Sequence, residues 1–467
     1  MAEDALSFAF QYGLPLYYYG RVITGFPDAK PNATYHKRKL LGPEFKEVPR
    51  PNQDTLYTYI FFDLSSTDLA VTLPDMGTRF WNFPFHDMYG NNFANIGSLT
   101  PEYPPGKYLL RCTDENHGVQ TEGAKEGYAG YVNCSTPYGF LPTRLLLRNT
   151  TTDVKTVHSW QDAIIPEPVE RSGPPIAPPL NLQMWAEPKY SVSSTNSLVK
   201  ATLELTATLA PYNLPAVADR KWVTEKLAEA GIKDGKFVQP SGTDLDNVAK
   251  IADEEAQAWA KSSNVNEDMG NDWSMTAPWI TGNYGSHYTG RYFLTKFIYL
   301  QQTPDIGILP FYAPGGNNYG VYRLEADEAY LFSFHSKPAV RSSGYWSLSI
   351  YDEDQWFIPN ERNQYARGDR SPLRYPDGTL LSEREDGPFQ ILMQPANITP
   401  PDKWLDNWLP GPIGGANWTM SCKYPVNDSH SNKTDLASIV RMFGPKPEVF
   451  EHKWKFPKIE RIPALRK

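Results

Sequence analysis

A chain of 467 residues is too long for one ordinary hydrophobic core, so two or three domains are expected. A formal net charge of −8 with no clustered basic face excludes nucleic acid as a partner, and no apolar run is long enough for a membrane-spanning helix. Aromatic residues at 13% and 42 prolines imply long fixed loops and many strand edges, with rings filling a β-rich core or lining pockets for flat ligands.

Residues 3–24 place apolar side chains at helical spacing, with Pro15 as a kink. From Thr55 to Thr150 the pattern turns to short strands punctuated by Gly and Pro: "TLYTYIFFDL", "AVTLP", "RFWNFPFHD", "GKYLLRC" and "TRLLLRNT". A proline-rich connection, loop or extended chain by composition, runs from Pro166 to Pro188. Helical stretches follow: "SLVKATLELTATLA", "DRKWVTEKLAEAG", "DLDNVAKIADEEAQAWAKSS" and "SHYTGRYFLTKFIYLQQ". Asp219 and Asp244 stand as N-caps and Gly231 as a C-terminal stop. After Gly320 strands return as "GVYRLE", "AYLFSFH", "GYWSLSIYD", "PFQILMQ" and "NWTMSCKYP", and "TDLASIVRMFG" reads as a last amphipathic helix. The expected units are an N-terminal helix with a first β module over 1–165, a linker and helical segment over 166–300, and a second β module with a helix and tail over 301–467. The fold class is α+β.

Cys112 and Cys134 flank a Gly-rich, charged segment between two strands, so a disulfide closing that loop is expected in an exported protein, with Cys422 left free. Three thiols in a cytosolic protein is the alternative. Seven Asn-X-Ser/Thr sequons, at Asn32, Asn133, Asn149, Asn397, Asn417, Asn427 and Asn432, favour the secretory pathway. The start "MAEDALSF" has no signal-peptide pattern, so a leader has been removed or Met1 is native and the protein cytoplasmic.

Two blocks carry a resemblance. The first has Arg50-Pro51-Asn52, Asp54-Thr55-Leu56-Tyr57, then Pro74, Asp75 and Gly77, then Asp87, Tyr89, Asn92 and Phe93. The second opens on "GYWSLSIYD" at Gly344, continues through "PN", "RGDR" and ends at "NWLPGP", Asn407 to Pro412. Together they resemble the paired domain-of-unknown-function family numbered twelve fifty-four and twelve fourteen. The resemblance implies two β-sandwich, jelly-roll-like modules joined by a helical segment, and export, since many relatives carry secretion signals. The chain departs from that pattern at His287, where relatives often have Asp, and in "GGANWTMSCKYPVND".

No His-X-His, His-Glu-X-X-His or Cys-X-X-Cys occurs, and no phosphate-cradling loop or nucleophile elbow, so no metal or cofactor is expected. What remains is acid–base chemistry. His287, Tyr288 and Arg291 open a helix, with His86 supplied from the first module, and these are the expected catalytic groups. A His can take a phenolic or α-carbonyl proton, a Tyr can return one, and an Arg can hold the enolate or phenolate. Tyr57, Trp81, Asp87, Asn92, Trp346 and Tyr351 are the expected substrate-binding groups. The combination points to a cofactor-independent isomerase or cyclase acting on an aromatic or polyketide-like small molecule. A carbohydrate-binding protein whose exposed rings stack on sugars is the alternative. The acidic and basic residues of 352–370 are expected to pair across a long hairpin, making that loop mainly architectural.

Overall fold

The helix α1 (Ala2–Thr24) is buried on nearly every face and continues through Pro15. The computed structural model describes residues 2–149, 151–171, 173–312, 321–352, 355–384, 386–419 and 437–467. α1 forms the centre of the helical segment rather than an appendage of the first module. At Gly13 a Cβ would lie 1.7 Å from Thr206 Oγ1, so only glycine permits the close approach to the helix carrying Thr206.

The first β module is built from β1 (Thr34–Lys37), β2 (Thr55–Asp63), β3 (Thr67–Leu73), β4 (Trp81–Asp87), β5 (Asn92–Gly97), β6 (Gly106–Cys112), β7 (Gly118–Gln120), β8 (Gly130–Cys134) and β9 (Tyr138–Leu146). After α2 (Val154–Asp162), β10 (Ile165–Glu170) returns to the same module, which therefore extends past residue 165. The sheet orders are β1-β2-β9-β4-β5 and β10-β3-β6-β8-β7. Alternation sorts the side chains. Leu56, Ile60, Phe62, Phe83, Phe85, Leu141 and Leu145 of the first sheet meet Leu69, Val71, Leu110 and Val132 of the second in one core. Tyr57, Tyr59, Phe61 and Phe140 point the other way, toward the helices.

Cys112 and Cys134 are both free thiols, which corrects the expected bridge. They are register partners on the parallel pair β6–β8, so the intervening loop is closed by the ladder itself, with β7 added on the far side of β8. Cys422 and the sequons Asn427 and Asn432 lie outside the described residues.

α3 (Leu198–Leu209), α4 (Arg220–Glu229), the hairpin β11 (Ile232–Lys233) and β12 (Lys236–Phe237), α5 (Leu245–Ala260) and later α6 (Tyr288–Ile298) surround α1. Asp244 caps α5 through the amide of Asp246 at 3.0 Å, and Gly231, at φ +85°, ends α4. Asp219 makes no side-chain cap to α4; its carboxylate instead accepts the Tyr288 hydroxyl at 2.7 Å. The proline-rich linker is fastened throughout. Ile176 N donates to Ser65 O at 2.8 Å, Leu180 N to Asp63 Oδ2 at 2.9 Å, and Trp185 Nε1 to Leu16 O at 3.0 Å. We expect limited proteolysis to leave this linker intact; release of two stable halves by a cut within 173–188 would overturn the single-body reading.

The second module begins early, with β13 (Asn266–Gly270) and β14 (Trp273–Thr276). It continues with β15 (Gly307–Ile308), β16 (Phe311–Tyr312), β17 (Val321–Leu324), β18 (Glu328–Phe334), β19 (Val340–Tyr351), β20 (Ala366–Gly368), β21 (Phe389–Pro395), β22 (Trp408–Gly411), β23 (Ala416–Thr419), β24 (Ala437–Pro445) and β25 (Lys458–Pro463). Its principal sheet runs β13-β14-β16-β24-β19-β20, with a second sheet β22-β21-β18-β25 across the core of Trp346, Leu348, Phe332, Ile391 and Met442. The segment expected as a last helix is the strand β24. It pairs with β19 from Tyr351↔Ala437 to Tyr345↔Phe443. Val440 and Met442 face the module's core while Ile439 and Phe443 face the first module and helices, so both faces are apolar and the period-2 signal is erased.

Candidate functional site

The two signature blocks meet. One face of β19 presents Tyr345, Ser347 and Tyr351, and the residues 50–54 of the first module lie along it. Asn52 Nδ2 donates to Tyr345 Oη at 2.6 Å, Ser347 Oγ to Asp54 Oδ2 at 2.7 Å, and Tyr351 Oη to Pro51 O at 2.8 Å. Arg370 Nη1 pairs with Asp54 Oδ1 at 3.2 Å and also donates to Gln53 O at 3.0 Å. The carboxylate that Arg370 pairs with among the described residues is thus in the other module. Glu353 and Asp354 lie outside the described residues.

Beside this junction lies a partly open cavity of about 60 Å³. It is therefore narrow, sized for a slim or flat molecule. One wall is the outer face of the first sheet, with Tyr57, Tyr59, Phe140 and Arg144. Arg50 and Asn52 of the signature form a second wall, Arg441 and Phe443 of β24 a third, and the last residue of α6, Ile298, with residues 299–302 the fourth. Three arginines thus line the space, and no carboxylate does among the described residues.

Each cation is held differently. Arg441, 2% exposed, donates to Tyr351 Oη from both Nη atoms at 3.1 Å and to Arg50 O at 3.0 Å. Burial opposes its charge, but Tyr351, Tyr345 and Asp54 outweigh that cost and raise its pKa. Arg50 sits at φ +54° and donates through Nε to Gln355 Oε1 at 2.6 Å. Arg144 lies with its guanidinium 5.8 Å from the Tyr57 ring centre and 5.5 Å from that of Phe443. Its Nη2 donates to Leu300 O at 3.4 Å, and its Nε finds no partner.

Unpartnered buried atoms gather here. Gln301 Oε1 and both Gln302 side-chain polar atoms, in residues 5% and 2% exposed, have no hydrogen-bond partner. On the same face of the sheet, Asn82 Oδ1 and His86 Nε2 are likewise unpaired, and Asn82 is the cross-strand partner of Arg144. Buried polar atoms are seldom left this way, and their grouping on this face makes it the candidate place for a ligand or ordered water.

The expected site residues divide. Tyr57 lines the cavity, and Tyr351 braces it through Arg441. His86 is fully buried on the cavity's sheet, opposite Phe140; its Nδ1 lies 3.3 Å from Gly90 O. Burial lowers its pKa to about 3, the Arg144 charge adding to the effect and the Gly90 bond opposing it. A neutral imidazole this weakly basic is a hydrogen-bond acceptor rather than a general base. His287 does not face a cleft between the modules: it is exposed at the N-terminus of α6, edge-on to Trp279 at 4.8 Å. Tyr288 and Arg291 turn toward α1 instead, Arg291 donating to Tyr12 O at 2.9 Å with the Tyr89 ring 4.3 Å away. Trp81 and Trp346 belong to the two module cores. Asp87 pins its turn through Asn91, and burial raises its pKa. Asn92 Oδ1 accepts from Thr303 N at 3.2 Å and so anchors the segment that carries Gln301 and Gln302.

Arg144, Arg441, Gln301 and Gln302 went unrecognised in the sequence. A lone Arg at an apolar strand's alternation, as in "TRLLLRNT", was a usable signal for Arg144. Gln301 and Gln302 carry no pattern at all.

Residues 31–168 match a family model described as a protein of unknown function, DUF1254, and residues 319–424 match a second of the same description, DUF1214. No curated protein matches the chain. Among solved structures, the VPA0106 protein from Vibrio parahaemolyticus is similar at 16% identity and a TM-score of 0.57, over 99% of this chain and 100% of that one. A putative uncharacterized protein from Burkholderia cenocepacia is 11% identical with a TM-score of 0.45, over 97% of this chain and 88% of that one. The Vibrio protein shares the fold across its whole length. With both matches in that order, and their signature residues joined at one cavity, the chain belongs to the paired DUF1254–DUF1214 family.

Proposed function

We propose that the protein is a cofactor-independent isomerase or cyclase whose aromatic substrate binds in the cavity between the modules. The observation that carries this reading is the lining itself: three arginines and three tyrosines, drawn from both modules and the helical segment, with no carboxylate among the described residues. Ring closure of a phenol onto an enone needs no protein base when the phenol is acidic enough to bind ionised. The phenolate oxygen adds to the enone's β-carbon, the electron pair moves to the carbonyl oxygen, and a proton from water restores the ketone at the α-carbon. The protein's part is to hold the anionic oxygen beside Arg144 and to orient the chain between the rings, while the open side of the cavity admits the water that gives the proton.

The test is the loss of enone absorbance from an ortho-hydroxyaryl enone. Arg144→Met is expected to slow the closure by about 10²–10³, the usual effect of removing one anion-stabilising donor. Wild-type protein that leaves the enone unchanged, or a variant as fast as wild type, would end the proposal.

The sequons support a place in the secretory pathway, and burial narrows which could carry glycans. Asn133 is 1% exposed, its amide donating to Asn116 O at 2.7 Å, and Asn32 exchanges hydrogen bonds with the backbone of Asp63. Asn149 and Asn397 are exposed. Expression through a eukaryotic secretory pathway should give glycosidase-sensitive mass at Asn149 or Asn397 and none at Asn133. Unmodified protein from that host would remove the proposal.

A further inference from the structure

The unpaired atoms around the cavity differ in kind, and the difference specifies a ligand. Arg144 Nε and Gln302 Nε2 are donors without acceptors; Gln301 Oε1 and Gln302 Oε1 are acceptors without donors. Exchanging the amide oxygen and nitrogen of Gln302 changes nothing, because neither atom has a partner. An inorganic anion satisfies only the donors, and a neutral hydrocarbon satisfies none. A carboxylic acid without hydroxyls leaves the glutamine oxygens bare. Resting on the cavity reading above, we infer that the ligand is a hydroxylated aromatic acid or its vinylogue. Its anionic oxygens face Arg144, and its hydroxyl lies between Gln301 and Gln302.

Three features support this assignment together. The free space is narrow, which suits a flat ring with substituents in its plane. Tyr57, Tyr59 and Phe140 supply ring faces along one wall. Asn92 and Asn95 both hold Thr303, through its amide at 3.2 Å and its hydroxyl at 3.2 Å, and so fix the backbone on which the two glutamines stand. The polar end is therefore set in place before any ligand arrives. Gln302 becomes the specificity-determining residue: it reads the hydroxyl, whereas Arg144 reads the charge.

The unpaired state has a further consequence that a structural glutamine would not share. A buried amide with no partner costs stability, and an apolar group of the same shape removes that cost. Gln302→Met should therefore leave the melting temperature of the unliganded protein unchanged or raise it, while weakening the ligand.

The experiment is calorimetric titration of the full chain with 4-hydroxybenzoate, benzoate, 4-hydroxybenzyl alcohol and sulfate, beside melting curves of wild type, Gln302→Met and Arg144→Met. We expect 4-hydroxybenzoate to bind about tenfold or more tighter than benzoate or the neutral alcohol, the smallest discrimination an unpaired buried group imposes. Gln302→Met should abolish the preference over benzoate, with its melting temperature unchanged or raised. Arg144→Met should abolish the preference over the alcohol. A neutral alcohol that binds as well as the acid would overturn the anion assignment and leave an aromatic site in place. Benzoate binding equally would overturn the hydroxyl assignment, as would a lowered melting temperature in Gln302→Met. Silence from every probe to millimolar concentration also overturns the inference, while the ring-closure assay judges the cavity reading separately. Sulfate binding alone would sink both.

Discussion

Replacing Asp54 with alanine is expected to lower stability by about 3–5 kcal/mol, the cost of removing one partner from a buried ion pair. Asp54 is 3% exposed, and its two oxygens serve Arg370 and Ser347 of the other module at 3.2 and 2.7 Å. The substitution leaves the Arg370 guanidinium near the junction without its counter-charge and a buried serine hydroxyl without its acceptor. Because these contacts cross between modules, the loss falls on the docking of the two rather than on either core. Urea unfolding should change from one transition to two, read by fluorescence and circular dichroism together. Asp54→Asn, which keeps an oxygen for Ser347 and loses the charge, should fall between. A single transition with a loss below about 1 kcal/mol would show the pair to be worth no more than an exposed one.

Acid should destabilise the protein through His86 by up to about 5 kcal/mol. In the unfolded chain the imidazole titrates near 6.5, and in the fold burial lowers it to about 3. Above pH 6.5 both states are neutral and the contribution is fully present. Between 6.5 and 3 the unfolded chain binds a proton that the fold refuses, so stability falls by about 1.4 kcal/mol for each pH unit. His36, half-buried and lowered to about 4, works in the same direction and overlaps the window. The comparison must therefore be made by difference. His86→Asn can keep the bond to Gly90 O through its amide, and its stability curve should be shallower than wild type by that slope between pH 6 and 4. Parallel curves would assign the acid sensitivity elsewhere.

The order of elements was legible where Gly, Pro and capping residues bound each element. β2, β4 and β9 are covered on both faces, yet their aromatic and β-branched content between turn residues marks them as strands, and α5 starts at its expected cap, Asp244. β24 is also covered on both faces but follows no such punctuation in the sequence, and an apolar run of that kind resembles a helix. The site failed for a related reason. A helix start with His, Tyr and Arg one turn apart describes a local grouping, and whether it faces a cavity depends on which way the bundle turns it. α6 turns Tyr288 and Arg291 onto α1 and leaves His287 outside. The cavity is instead assembled from residues nearly four hundred positions apart, Arg50 to Arg441, and no spacing within one element encodes that.

Because its walls are shared among the two modules and the segment after α6, the cavity has no smaller hereditary unit than the chain itself. A recombination that supplied a foreign second module would bring its own Arg441 and Arg370 to a junction whose Asn52 and Asp54 were shaped against other partners. Half a binding site would come with each parent. Exchange between relatives should therefore succeed only when both signature blocks travel together, and chimeras cut within 173–188 offer a direct way to see whether the pair behaves as one transmissible trait.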